Sequence, residues 1–299
     1  MIDSITARAI DRAALRRWQQ RQAQAPEPPW LHGEVARRMT ERLQIMKRVP
    51  TVVIDWWSRS GASSELLRAA YPKAQQLRVE PAAVMQQPRA AAPWWSAQRW
   101  RADDVVAESA VADGQAQLLW SNMMLHAVAD PGALLAQWRR ALSMEGFVMF
   151  STLGPDTLKT LRQTYRDAGW GVAHAPFVDM HDLGDMLVRA GFADPVMDQE
   201  MLRLTWATPD ALLTELRGLG LNADLARCAG LRTPRWRARL GAALAEHAGA
   251  DGRIALEFEI VYGHAFNPPP RLTVAGETRL SAADLQRMAR TGRNPGSLG

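Results

Sequence analysis

Two carboxylates stand where apolar runs of the sequence end. Asp55 closes the run at 51–54, and Glu80 closes the run at 77–79. Both runs have the length and composition of short buried strands. In an open parallel sheet, ligands bind at the carboxyl ends of the strands, and an acid ending the second strand can accept hydrogen bonds from both hydroxyls of a ribose. On spacing alone the simpler interpretation is favoured, in which Asp55 caps the next helix and Glu80 is merely exposed.

Elements that would position these acids follow from the apolar patterns. Asp130-Pro131 predicts a helix start, because the acid can cap the helix and the proline suits its first turn. The other predicted elements are strands at 117–121, 146–151, 196–206 and 254–262 and helices at 179–190, 209–219 and 234–247. Alternating strands and helices indicate βαβ units, and therefore a doubly wound, Rossmann-like α/β fold with a largely parallel sheet.

Composition excludes several classes of protein. The 299 residues carry a net charge of +5 and a single cysteine, Cys228. One cysteine cannot form an internal disulfide or a multi-cysteine metal site, and we expect a cytoplasmic protein. No apolar run approaches the roughly 20 residues of a membrane-spanning helix. Basic residues are scattered, so we expect neither a nucleic-acid partner nor a membrane partner.

Three segments resemble one family of enzymes. They are Ser121-Asn122-Met123-Met124-Leu125-His126, Phe150-Ser151-Thr152-Leu153-Gly154-Pro155-Asp156-Thr157-Leu158 and Phe177-Val178-Asp179-Met180-His181-Asp182-Leu183-Gly184-Asp185. With the N-terminal region they resemble the malonyl-acyl-carrier-protein O-methyltransferases of biotin synthesis, which are class I S-adenosylmethionine (SAM)-dependent methyltransferases. The resemblance covers roughly residues 5–265. It implies a seven-stranded sheet with N-terminal helices and helical insertions, with a helical lid at 1–50 and a methyltransferase domain at 51–265. The last stretch is rich in proline, glycine and arginine, which predicts a disordered tail at 266–299.

The resemblance also implies a set of cofactor contacts. Asp55 matches the acid that opens the SAM loop, and Glu80 matches the acid that holds the ribose. Asp103 or Asp104 matches the acid near the adenine amino group. Asn122 and Met123 match the segment beneath the methionine end of SAM. Gly61 is the one glycine of the SAM loop that this chain retains. The acceptor would be the free carboxylate of a malonyl thioester on acyl-carrier protein or coenzyme A, and no catalytic side chain is assigned.

The loop departs from the family pattern. The family reads Asp-x-Gly-x-Gly-x-Gly, and this chain reads Asp55-Trp56-Trp57-Ser58-Arg59-Ser60-Gly61. Trp57 and Arg59 replace the first two glycines, where a Cβ would collide with the cofactor or force strained dihedral angles. Near the N-terminus, Arg17-Trp18 stands where the family often has Tyr-Asp. Two hypotheses remain: a SAM-dependent O-methyltransferase, or a catalytically inactive descendant that binds or assembles with a partner.

Other candidate residues have simpler explanations. His174, His181 and Asp185 are metal-ligand types, as are Asp179 and Asp182. The two acids at 179 and 182 suit helix capping, and the resemblance implies no metal. Cys228 stands alone in a polar stretch, which is more typical of an incidental cysteine than of a nucleophile.

Overall fold

The computed structural model describes residues 9–86, 104–220 and 222–269. Internal contacts divide the chain into two units, Met1–Pro268 and Pro269–Gly299. Apart from Pro269, the second unit lies outside the described residues, and with it most of the tail predicted at 266–299. The first unit contains the sheet and the candidate site.

Within the described ranges, seven strands form one sheet. They are β1 (Val52–Trp56), β2 (Gln75–Glu80), β3 (Asp104–Ala107), β4 (Ala116–Ser121), β5 (Leu142–Leu153), β6 (Ala193–Trp206) and β7 (Ile254–Phe266). Their spatial order is β3-β2-β1-β4-β5-β7-β6. The first five run parallel, and β7 lies antiparallel to both β5 and β6. The predicted doubly wound α/β fold is therefore confirmed, with the direction of winding reversing between β1 and β4.

Helices cover the sheet. They are α1 (Arg12–Gln24), α2 (Trp30–Arg42), α3 (Ser58–Gly61), α4 (Ser64–Ala70), α5 (Ala82–Met85), α6 (Pro131–Ala141), α7 (Lys159–Asp167), α8 (Met180–Arg189), α9 (Pro209–Leu219) and α10 (Pro234–Ala245). The predicted caps form: Asp130 accepts from the Ala133 N–H at 2.9 Å, and Asp179 accepts from the His181 N–H at 2.7 Å. Among the described residues, none of the helices combines the length and apolar character that crossing a membrane requires.

Apolar side chains bury both faces of the sheet. Val53 of β1 joins a cluster with Leu31 of α2 on one face. Its neighbour Ile54 joins a second cluster with Trp138 of α6 on the other face. Each such fully buried side chain contributes about 1.5–3 kcal/mol, so the central strands are fixed from both sides.

The N-terminal helices cover the carboxyl edge of β1 and β2. Helix α1 packs on α3 and α5, and α2 packs on α3 and α4. The start of α1 is held by Asp11, which caps the helix and pairs with Arg227. This position suits the lid predicted at 1–50, which as a separate domain stays a prediction.

Candidate functional site at the carboxyl edge of the sheet

Asp55 and Glu80 lie on neighbouring strands at the same edge. The two strands pair so that Trp56 is opposite Val79, which puts both acids at the carboxyl end. Asp55 is fully buried and accepts hydrogen bonds from the Ser63 hydroxyl at 3.1 Å and the Ser64 hydroxyl at 2.7 Å. Burial raises its pKa to about 7, against the lowering effect of the Ser64 hydrogen bond. A protein that keeps an acid under this desolvation usually needs it for a ligand or a structural cap.

In the loop after β1, a tryptophan adopts a backbone conformation that is typical of glycine. Trp57 has φ 56° and ψ 49°, in the left-handed region. Its N–H donates to the Val79 carbonyl at 2.7 Å, and its own carbonyl accepts from the N–H groups of Ser60 and Gly61. A side chain in this conformation costs about 1–2 kcal/mol, so the surrounding contacts must hold it.

Glu80 already has hydrogen-bond partners from this loop. Its Oε1 accepts from the Ser58 hydroxyl at 2.7 Å and from the Arg59 N–H at 2.9 Å. The side chain is only 2% exposed, and burial raises its pKa. Glu80, the acid expected to hold a ribose, is thus already hydrogen-bonded to other groups of the protein.

The Trp57 indole is buried at this edge of the sheet. Its Nε1 donates to Glu108 Oε1 at 2.6 Å, and its ring lies 6.4 Å from that of Trp18 on α1. Burial raises the pKa of Glu108. The Arg59 guanidinium reaches the Ala23 carbonyl at 2.9 Å and so joins the loop to α1.

Asn122 connects the loop to the rest of the edge. Its Nδ2 donates to the carbonyls of His32 at 2.8 Å and Gly61 at 2.5 Å, and its Oδ1 accepts from the Ser151 hydroxyl at 2.6 Å. The adjacent Met123 is also buried, and its N–H donates to Ser151. Both polar atoms of the Asn122 side chain are therefore satisfied by protein groups.

His32 is buried in the same cluster. Its Nδ1 donates to the Ser60 carbonyl at 2.6 Å. Burial lowers its pKa to about 4, so the ring is neutral at physiological pH. It serves the loop as a neutral hydrogen-bond donor.

The structure brings together most of the predicted contact residues. Asp55, Gly61, Glu80, Asn122 and Met123 share one edge, and their role in binding stays a prediction. A Cβ on Gly61 would stand 2.8 Å from Ser63 Oγ and 3.6 Å from Asn122 Cβ, so a larger residue here would displace the hydroxyl that Ser63 donates to Asp55.

Asp103 or Asp104 as the adenine-side acid stays a prediction. Asp104 pairs with Leu77 at the amino end of β3, three residues before the level of Glu80, so the structure does not bring it to the site. Asp103 lies outside the described residues. The acid that follows the carboxyl end of β3 is Glu108, which the sequence reasoning missed. The signal was present, since Glu108 follows an apolar run as Asp55 and Glu80 do.

SAM, the cofactor that the resemblance implies, does not fit the edge in this conformation. Asp55 and Asn122 are inaccessible to solvent, and Glu80 is nearly so. The Trp57 indole and the Ser58 hydroxyl take the hydrogen-bonding positions at Glu108 and Glu80. The loop at 57–61 would have to move before a nucleoside could reach either acid.

An apolar pocket of about 300 Å³ lies at the neighbouring ends of β4 and β5. Leucines of α7, α9 and α10 line it, together with Trp18 of α1 and Phe258 of β7. Arg217, at its wall, carries the only full charge among the described lining residues. His126 and His174 also line it, with ring centroids 5.8 Å and 4.6 Å from that of Phe177. This pocket can hold an apolar or amphipathic chain whose polar end meets Arg217.

The remaining candidates are not gathered into a site. Asp179 caps α8, and Cys228 is exposed. Within the part of the chain that the structure describes, no group of three or more histidine, cysteine or acidic residues is arranged to hold a metal ion.

Comparisons with known proteins agree with the fold described above. A family model described as a methyltransferase domain matches residues 30–194, which is more than half of the chain. Among solved structures, the YcgJ protein of Bacillus subtilis matches with a TM-score of 0.51 at 10% identity, over 79% of this chain and 99% of that chain. A putative methyltransferase of Bacillus halodurans matches with a TM-score of 0.51 at 13% identity, over 77% and 99%. At these identities the two structures support the fold alone.

Curated relatives are closer in sequence. The malonyl-acyl-carrier protein O-methyltransferase of Laribacter hongkongensis is 38% identical over 81% of this chain and 84% of its own length. The enzyme of the same name from Gallionella capsiferriformans is 37% identical over 89% and 94%. That of Halorhodospira halophila is 36% identical over 95% and 98%. The chain belongs to the malonyl-acyl-carrier protein O-methyltransferase family.

Proposed function

We propose that this protein is a SAM-dependent O-methyltransferase that esterifies the free carboxylate of a malonyl thioester. The observation that carries the proposal is the 36–38% identity to enzymes of that name over nearly their full length. The same relatives support acyl-carrier protein as the carrier of the thioester, with coenzyme A as the alternative. A chain with one exposed cysteine suits a reducing compartment, and we place the reaction in the cytoplasm.

SAM supplies the methyl group in this chemistry. The acceptor requires little from the protein, because a malonyl carboxylate is ionised and nucleophilic at neutral pH. The contribution of the protein is then mostly alignment of the acceptor and exclusion of water. That explains why no general base stands out at this edge of the sheet.

The apolar pocket is the place we assign to the acceptor. Its lining includes His126 and Ala127, which follow the end of β4, and it shares Trp18 with the wall of the closed crevice. Its leucine lining would remove water from the carboxylate, and Arg217 would attract the negative end of the malonyl group. A site of this composition suits a thioester arm with a single charge.

The alternative hypothesis was a chain that has lost catalysis. The relatives named above are all transferases, and the comparisons give that alternative no support. Trp57 and Arg59 replace loop glycines, and we expect them to affect how the cofactor enters the crevice.

A transfer assay tests the proposal. The full chain is incubated with SAM and malonyl-acyl-carrier protein, malonyl-coenzyme A or acetyl-acyl-carrier protein, and methyl esters are detected by mass spectrometry. We expect ester with the malonyl substrates and none with the acetyl substrate, which lacks a free carboxylate. Absence of ester from every malonyl thioester, with folded protein at substrate-like concentration, would contradict the proposal.

A further inference from the structure

The side chains that close the crevice make the kinds of hydrogen bond that an adenine nucleoside makes. Glu80 accepts from a hydroxyl, that of Ser58, as it would from a ribose. Glu108 accepts from the N–H of a planar bicyclic ring, the Trp57 indole. Adenine is also a planar bicyclic ring, and its amino group is a hydrogen-bond donor.

The order of these groups along the sheet matches the order within a nucleoside. Glu80 ends β2, and its partner in the pairing with β3 is Ala107, directly before Glu108. A hydroxyl donor at Glu80 and a ring donor at Glu108 therefore follow one another outward from β1. Ribose followed by base would lie in the same direction.

The left-handed backbone of Trp57 needs other contacts to stabilise it. Trp57 occupies a left-handed conformation that glycine adopts without strain, yet its side chain is 4% exposed. The indole is fixed by Glu108 and by the ring of Trp18, and Arg59 is fixed by the Ala23 carbonyl. Loop and lid helix thus close the crevice together.

We infer that Trp57 and Ser58 occupy the adenosine subsite as a built-in substitute for the nucleoside, which enters only by displacing them. The inference rests on the proposed function for the identity of the ligand, an adenosyl group. It adds an internal competitor to that site, whose removal should increase affinity. Since Trp18 contacts Trp57 and also lines the apolar pocket, displacement of the indole would reach the acceptor pocket as well.

Three variants test the competitor by calorimetric titration with adenosine and S-adenosylhomocysteine. Trp57→Gly removes the indole and suits the left-handed backbone, and we expect at least 10-fold tighter binding than in the wild type. Trp57→Phe keeps a ring but loses the N–H donor to Glu108, so we expect a smaller gain. Trp30→Ala is the matched control, because Trp30 is 61% exposed on α2, and its affinity should equal that of the wild type.

Two further measurements use the base of the added nucleoside and the indole of Trp57. Inosine carries a carbonyl oxygen where adenosine carries its amino group, so Trp57→Gly should gain less affinity for inosine. In the wild type, the indole resonance that disappears in Trp57→Phe should shift as adenosine is added. A folded Trp57→Gly with unchanged affinity, or an indole resonance that stays fixed while adenosine saturates the wild type, would overturn the inference. The Phe variant and the resonance decide the matter if the Gly variant does not fold.

The transfer assay separates this inference from the proposed function. A wild type that forms no methyl ester, together with a Trp57→Gly variant that gains adenosine affinity, would support the inference and contradict the function. A wild type that forms ester and binds S-adenosylhomocysteine as tightly as Trp57→Gly would support the function and overturn the inference.

Discussion

The crevice at β1–β3 and the apolar pocket at β4–β5 share one edge of the sheet but differ in what fills them. The crevice holds the buried acids Asp55 and Glu80, whose oxygens are bound by serines and the loop backbone. The pocket, about 300 Å³ in volume, is lined mostly by leucines and aromatic side chains.

The difference follows from the cost of burying polar groups. A buried carboxylate without a partner is strongly unfavourable, so a crevice of acids must be filled by a ligand or by the protein itself. An apolar cavity has few polar atoms to satisfy, so it can stay open. The chain closes the polar half with its own residues and leaves the apolar half accessible.

The largest expected effect comes from removing the buried charge of Asp55. Burial raises the pKa of Asp55 from its ordinary 3.8 to about 7, so its contribution to stability is present below pH 3.8 and is lost as the pH rises through 7. Relative to the wild type, Asp55→Asn should gain about 4 kcal/mol in free energy of unfolding between pH 4 and pH 8. Urea denaturation across this range measures the difference.

His32 supplies the opposite control. Its pKa is lowered by burial from 6.5 to about 4, so its contribution is present above pH 6.5 and is lost as the pH falls to 4. The stability of His32→Gln relative to the wild type should therefore fall by about 3 kcal/mol as the pH rises from 4 to 6.5. Two variants with the same pH dependence would contradict the assignment of both groups.

Asn122→Ala should destabilise the closed crevice by about 3 kcal/mol. It leaves the His32 and Gly61 carbonyls and the Ser151 hydroxyl without their partner, and each buried unsatisfied group costs about 1–3 kcal/mol. Urea denaturation at pH 8 measures the loss.

Asn267→Ala is the matched control for this loss. Asn267 also donates to two carbonyls, those of Leu142 and Ser143, but it is only partly buried and lies near the opposite edge of the sheet. We expect about 1 kcal/mol for it. Equal losses in the two variants would show that the hydrogen bonds of the buried crevice stabilise the protein no more than those of a partly buried position.

Much of the fold could be predicted from the sequence because its elements have strong local signals. Asp130-Pro131 and Asp179 mark helix starts that the structure confirms. β3 was missed, because its four residues are too few for a periodic pattern. Without β3, Glu108 could not be placed at the end of a strand, and the adenine-side acid stays a prediction at Asp103 or Asp104.

The state of the crevice could not be predicted. The sequence indicated that Trp57 and Arg59 obstruct a glycine loop, but not where the indole would go. Its direction depends on Glu108, 51 positions away along the chain, and on Trp18 of a helix that packs from outside the sheet. Such contacts arise from tertiary packing and leave no periodic trace in the sequence.

Ala173→Trp should block the apolar half and leave the polar half unaffected. Ala173 lines the pocket, so an indole there would occupy space that we assign to the acceptor. We expect at least a 10-fold rise in KM for the malonyl thioester and unchanged binding of S-adenosylhomocysteine by calorimetry. Ala238→Trp, on the exposed face of α10, is the control and should change neither. A parallel loss of S-adenosylhomocysteine binding in Ala173→Trp would mean that the two halves are one site.

The smallest expected effect concerns a helix that carries the pocket wall. Thr208 caps α9, its hydroxyl accepting from the Ala211 N–H at 3.2 Å, and α9 contributes Leu213 and Leu216 to the pocket. Thr208→Ala should cost about 1 kcal/mol in free energy of unfolding, the usual value of such a cap. Thr214, on the same helix, donates its hydroxyl to the Asp210 carbonyl and caps nothing, so Thr214→Ala should stay within about 0.5 kcal/mol of the wild type. Because α9 lies on the pocket side, neither change should alter the affinity for adenosine. A measurable change in that affinity would show that strain passes from the pocket to the crevice, and Trp18, which borders both, would be the first residue to examine.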